Sequence, residues 1–135
     1  GYLLYDFLKV LPDAEIYGLD ISDYAVGNSK KEIKKNLIVG NASDLPYEDN
    51  FFDLVISINT LHCLEAPNLF KSIKEIERVG KSNKYICVES YRNELEKANL
   101  LYWQVTCEAF NTPKEWEWWF EITGYSGDYS FIYFE

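Results

Sequence analysis

The sequence contains no methionine, a single histidine (His62), three scattered cysteines and no long uninterrupted apolar run. Each scarcity excludes something. Without a Met, position 1 reads as an internal point of a longer chain, so a fragment is expected. One His and no CxxC pair leave no plausible zinc site. Cys63, Cys87 and Cys107 read as reduced, buried thiols of a cytoplasmic protein. No stretch approaches the roughly 20 apolar residues of a membrane span. The opening GYLLYDFLKVL is apolar, but Asp6 and Lys9 interrupt it and no cleavage site follows. Basic charge is also short. A formal charge of −9 argues against nucleic acid as a partner, because phosphate backbones need a basic face.

What is present is enough for one domain, taken here as residues 1–135. The chain is 47% apolar and 17% aromatic. Leu3, Leu4, Phe7, Leu8 and Leu11 share a stripe, which predicts a helix over 2–11. Strands are expected at 14–19, 37–40, 52–58, 85–88 and 130–134, with helices at 23–35, 68–79, 93–109 and 113–123. Thr112-Pro113 opens the last of these and Gly124 closes it. Tyr85 to Val88 is nearly all apolar, as in a strand covered on both faces. This alternation implies a Rossmann-like, doubly wound α/β fold: a mostly parallel sheet with helices on both faces. The last strand is expected to insert antiparallel at an edge.

In such sheets ligands bind beyond the carboxyl ends of the strands. Asp20 ends the first strand, nineteen positions beyond Gly1. Its carboxylate can accept hydrogen bonds from both hydroxyls of a ribose, or can cap the helix that begins near Ser22. Asn41-Ala42 follows the next strand. The Asn41 oxygen can take an adenine amino proton while the Ala42 N–H serves the ring nitrogen, or the pair can form an Asx turn.

The runs YGLDIS (17–22) and GNASDLPYEDNFFDLVISINTLH (40–62) resemble the class I S-adenosylmethionine-dependent methyltransferases, specifically the small-molecule branch called methyltransferase type 11. That family has an acid after its second strand, a Gly-Asp-Ala-x-x-Leu-Pro-Phe segment and an Asp-Leu-Val-x-Ser strand ending near Leu-His. The Pro113-Lys114-Glu115-Trp116 helix and the Thr123-Gly124-Tyr125 turn echo its Pro-Glu-Glu-Trp…Gly-Phe. The clear match spans about residues 15–64.

The resemblance implies S-adenosyl-L-methionine as cofactor and a small-molecule methyl acceptor. Asp20 would hold the ribose and Ile21 would pack on the adenine, whose edge Asn41 and Ala42 would read. Asn59 would lie near the methionine part. Gly1 would be the last glycine of a loop whose remainder, with the family's first strand, is missing, leaving two strand edges open. Asn41 stands where the family usually has Asp, which keeps an acceptor and loses the charge.

Methyl transfer from a sulfonium relies on positioning, and it needs a base only if the acceptor must lose a proton. His62, Glu89, Ser90 and Tyr91 follow strands and are the candidates to meet the acceptor. His62 reads more readily as a packed or hydrogen-bonded structural histidine, and Glu89 equally as the partner of Arg92 or Lys97. Trp116 and Trp119 read as core, and Tyr102 and Trp103 as walls of an acceptor pocket. Two alternatives remain at this level. One is a nicotinamide-dependent oxidoreductase, which shares the ribose acid but offers no Tyr-x-x-x-Lys pair. The other is a truncated or degenerate Rossmann-like domain without catalysis.

Overall fold

The structure is a computed structural model that describes all 135 residues. It divides into two compact units, residues 1–45 and 46–135.

The first unit holds helix α1 (Tyr2–Val10), strand β1 (Gly18–Asp20), helix α2 (Asp23–Gly27), a 3-10 turn (Lys34–Asn36) and strand β2 (Leu37–Val39). β1 and β2 pair in parallel, Gly18 opposite Leu37 and Asp20 opposite Val39. Gly18 is needed for close approach: a Cβ there would come within 2.9 Å of the Leu4 side chain from α1. Ile33 is the buried residue of this unit.

Two elements are shorter here than the sequence implies. The strand expected from 14 begins only at Gly18, since β2 offers three residues to pair with; the Asn36 side chain instead donates to the Ile16 carbonyl (2.8 Å). The helix expected over 23–35 stops at Gly27. The Asn28 amide donates to the Tyr24 carbonyl (2.9 Å) and the Ser29 hydroxyl to that of Val26 (2.8 Å), side-chain bonds that compete with helix continuation.

The second unit holds β3 (Phe52–Ile58), a 3-10 turn (Leu61–Cys63), α3 (Ala66–Val79), β4 (Gly80–Glu89), α4 (Glu94–Trp103), α5 (Pro113–Thr123) and β5 (Asp128–Ile132). The strand order is β3-β4-β5. All pairs are parallel, which corrects the expected antiparallel edge: Asp128 lies opposite Tyr85 and Ile132 opposite Glu89. A parallel neighbour requires a long crossover, and the segment carrying α4 and α5 supplies it. β1 and β3 each have a partner on one side only, so the parallel strands form two sheets and not one.

β4 is longer than expected because α3 runs straight into it through Gly80. A Cβ at Gly80 would meet the Lys84 stem at 2.8 Å and Val55 at 3.0 Å. Ile86, Cys87 and Val88 are buried in succession, as the continuous apolar run predicts for a strand covered on both faces. Around them Leu61, Leu69, Ile73, Ile76, Trp116 and Phe120 form the core, and Trp119 packs against it half-buried.

α5 begins with a full capping box: the Thr112 hydroxyl takes the Glu115 N–H and the Glu115 carboxylate takes the Thr112 N–H. It ends at Gly124 with φ +72°, a conformation that costs glycine nothing. α4 stops at Trp103, short of the expected 109, because the N–H groups of Glu108 and Ala109 both donate to the His62 carbonyl (2.9 Å each).

Trp116 is fully buried and its indole N–H donates to the Glu89 carbonyl, whereas Trp118, two residues on, is 53% exposed. Trp116→Ala is therefore expected to cost about 3–5 kcal/mol and Trp118→Ala less than about 0.5 kcal/mol, read from urea unfolding of the two variants.

Candidate functional site

The tips of β1 and β2 lie at the same end of the first sheet. The Asp20 carbonyl accepts the Gly40 N–H (3.0 Å), which places Asn41 one residue beyond this contact. Parallel pairing thus brings together at backbone level the two positions expected to meet a nucleoside, Asp20 and Asn41. Asp20 is exposed. One carboxylate oxygen accepts the Ser22 N–H (2.9 Å), and Ser22 in turn caps α2 through its hydroxyl. The helix cap itself is Ser22, so Asp20 serves the turn one step upstream of it, and a single oxygen suffices for that. The other oxygen carries no protein hydrogen bond. Beside it Ile21 is 72% exposed, an apolar side chain without an apolar cover.

At Asn41 the Asx turn forms: its side-chain oxygen accepts both the Ser43 N–H (3.0 Å) and the Ser43 hydroxyl (2.9 Å). Ala42 is half-buried and small. A free carboxylate oxygen, an exposed apolar side chain and a loop with a small residue suit the sugar and base of S-adenosylmethionine in their chemistry. Gly1, the N-cap of α1, is held close: a Cβ would collide with the Ile33 side chain.

The remaining expected residues lie in the second unit. Asn59 follows β3 with φ +53°, a left-handed conformation in which Asn is several-fold enriched, while its N–H donates to the Cys87 carbonyl (3.0 Å). His62 and Glu89, from the turn after β3 and the end of β4, come together. Both are buried, with the imidazole Nε2 3.4 Å from a carboxylate oxygen. That approach lacks hydrogen-bond geometry, so these two atoms are buried without a hydrogen-bond partner. The Glu89 N–H points at His62 Nδ1 (3.4 Å). With Nδ1 the acceptor, the ring proton belongs on Nε2, facing the carboxylate. Both ring nitrogens are directed at Glu89, so His62 in this arrangement supports Glu89 and does not face a ligand.

The other Glu89 oxygen accepts the Gln104 amide (2.7 Å). Arg92 is engaged elsewhere, by Glu96 and Glu135, and Lys97 lies 5.2 Å from the ring of half-buried Tyr91. Neither pairs with Glu89. Ser90 is buried and its hydroxyl donates to the Asn111 carbonyl (2.9 Å).

Tyr102 and Trp103 do not wall a pocket: they are 93% and 69% exposed on the last turn of α4. Cys87 and Cys107 are buried free thiols, with burial pushing Cys107 up to about 11, but Cys63 is only half-buried. Two participants were not legible in sequence. Gln104 sits just past a helix end with no motif around it. Ser43 had one faint signal, its Asn-x-Ser spacing, which favours an Asx turn.

The description "Methyltransferase domain" belongs to the family whose model matches residues 1–124. A demethylmenaquinone methyltransferase of Bacillus mycoides (strain KBAB4) is 35% identical over 121 residues, covering 78% of this chain and 50% of the relative. The chain thus spans about half the length of the curated relatives it matches. Among solved structures, the YcgJ protein from Bacillus subtilis superposes with a TM-score of 0.67 at 18% identity, covering 88% of this chain and 56% of that one. A SAM-dependent methyltransferase from Thermotoga maritima gives 0.50 at 21% identity, covering 92% and 70%. Both show a shared fold. No helix is long and apolar enough to cross a membrane.

Burial holds the His62 imidazole below its ordinary value of 6.5, outweighing the raising pull of Glu89. A lowered folded value means the unfolded chain binds the proton first. The resulting stability is complete above pH 6.5 and is lost as pH falls through the folded value. Between pH 7.5 and 5.5 the unfolding free energy should fall by up to about 1.4 kcal/mol per pH unit. His62→Gln should flatten that slope, measured by urea denaturation across the pH series.

Proposed function

The chain belongs to the class I S-adenosylmethionine-dependent methyltransferases, and we propose that the protein carrying it transfers the cofactor's methyl group to a small, quinone-type aromatic acceptor. Membership weighs against the nicotinamide-dependent alternative and brings S-adenosyl-L-methionine as the family's methyl donor. The acceptor class rests on likeness to the demethylmenaquinone methyltransferase of Bacillus mycoides. The observation that carries the cofactor reading is the paired tip of β1 and β2, with Asp20 and Asn41 beside each other at the end of a parallel sheet.

In this reading residues 1–135 belong to one methyltransferase domain, and each unit supplies its own groups. Asp20 accepts the ribose hydroxyls with the oxygen that the Ser22 turn leaves open. Two hydroxyls on one carboxylate are charge-assisted hydrogen bonds, the stronger kind. Ile21 covers a face of the purine and so removes its own exposed surface from water. The Ala42 N–H donates to a ring nitrogen and Asn41 meets the amino group. The Gly1 backbone serves the amino-acid end.

The cofactor supplies an electrophilic methyl on a good leaving group. The protein's task is then to hold donor and acceptor in line and keep water out. Glu89, buried and braced by His62 and Gln104, and Tyr91 beyond it are the acceptor-side groups. Glu89 is the one that can receive a proton from an acceptor hydroxyl, provided Gln104 gives way to it.

Titration of S-adenosylhomocysteine into the protein at its full natural length should give saturable heat, and NAD none. Asp20→Ala should weaken S-adenosylhomocysteine by at least about 100-fold, the loss of two charge-assisted hydrogen bonds. Labelled methyl should pass to a reduced demethylmenaquinone. NAD heat would favour oxidoreductase chemistry, and silence toward both ligands would favour a non-catalytic domain.

A further inference from the structure

We propose that Ser43 sets the affinity for the cofactor by occupying the lone pair of Asn41 that the adenine amino group requires. The inference rests on the reading of Asn41 as an adenine-edge residue and concerns a residue at a position that the motif leaves unspecified.

An amide oxygen has two lone pairs, and at Asn41 both are in use. One accepts the Ser43 backbone N–H at 3.0 Å, the other the Ser43 hydroxyl at 2.9 Å. The amide cannot be turned over to offer its oxygen elsewhere. Reversal would set the Asn41 NH2 against the Ser43 N–H, two donors facing each other. The orientation is therefore fixed by the turn, and what Asn41 leaves free is its NH2 group. An adenine amino group is itself a donor and has nothing to gain from that group.

The two Ser43 donors differ in how firmly they hold. The backbone N–H closes the turn after β2, which also holds the Asp44 N–H on the Asn41 carbonyl (3.0 Å), and it is not displaced without opening that loop. The hydroxyl turns about a single bond. Adenine thus competes with the hydroxyl for one lone pair, and each binding event breaks an existing bond to make a new one.

Asp at position 41 would behave differently. A carboxylate keeps one oxygen on Ser43 and offers the second, with charge, to the amino group. The Asn-Ser combination is a weakened version of that acceptor, and the weakness lies in the serine as much as in the missing charge.

The test is a double-mutant cycle read by calorimetric affinity for S-adenosylhomocysteine, using the full-length protein. Ser43→Ala should bind about 3–10-fold tighter, the worth of the displaced neutral hydrogen bond. Ser43→Thr, which keeps the hydroxyl, should stay at the original affinity. Asn41→Asp should bind tighter, and in that background Ser43→Ala should change nothing. With the S-adenosylhomocysteine analogue that lacks the exocyclic amino group, Ser43→Ala should be silent in either background. Weaker or unchanged binding by Ser43→Ala overturns the proposal, as does an equal gain for both ligands. Asn41→Ala separates the two levels. If it leaves affinity untouched, the adenine-edge reading fails. If it weakens binding while Ser43→Ala does not tighten it, only the role of Ser43 fails.

Discussion

Three residues of parallel pairing, Gly18–Asp20 against Leu37–Val39, set the positions of Asp20 and Asn41, the two residues proposed to meet a nucleoside. Parallel strands end at the same side, so an acid closing one and an amide closing the other become neighbours through backbone alone. The pairing is short, and what surrounds it is economical. Leu4 presses on the glycine, the Asn36 side chain replaces a ladder bond, and Ser22 turns the chain away just beyond the acid. Both side chains are committed to the loops that hold them, Asp20 in part and Asn41 in full. Asp20 spends one oxygen on Ser22, and Asn41 spends its whole acceptor capacity on Ser43. The same bonds that fix these side chains in place decide how much hydrogen bonding remains for a ligand.

The second unit shows the opposite balance. Glu89 and His62 are sealed from water, and the segment after α4 is tied over them. Gln104 reaches the carboxylate, Glu108 and Ala109 reach the His62 carbonyl, and Trp116 reaches the carbonyl of Glu89. A buried carboxylate with one oxygen lacking a hydrogen bond is costly, and it sits at a strand tip where chemistry is expected. The histidine is not independent of it, since both ring nitrogens are aimed at the same residue.

Much of this was legible in the sequence and some was not, for physical reasons. The capped helix from Pro113 to Thr123 and the twice-covered strand around Ile86 depend on local chemistry and continuous apolar patterning, so both stand out. The direction of the last strand depends on where a long crossover returns the chain, which no local pattern encodes. The early end of α2 turns on Asn28 and Ser29 taking helix carbonyls, and that of α4 on a distant carbonyl, at His62, taking two N–H groups. At the site, Asp20 and Asn41 were readable because strand tips follow from alternation and motif. The His62–Glu89 pairing was not, because it joins residues 27 positions apart that carry no shared motif.

The junction at Gly80 has a reach beyond its own neighbourhood. Helix passes into strand there with no intervening loop, and the strand then runs ten residues, about 33 Å of extended chain, to Glu89. The ladder to β3 takes its one register shift between Gly80 and Asn83, and from Asn83 to Cys87 the pairing is unbroken. A single residue inserted in that unbroken part would reverse which side each following side chain takes, and so carry the carboxylate out of its cage. The number of residues from Asn83 to Glu89 is thereby a ruler for the far end of the sheet.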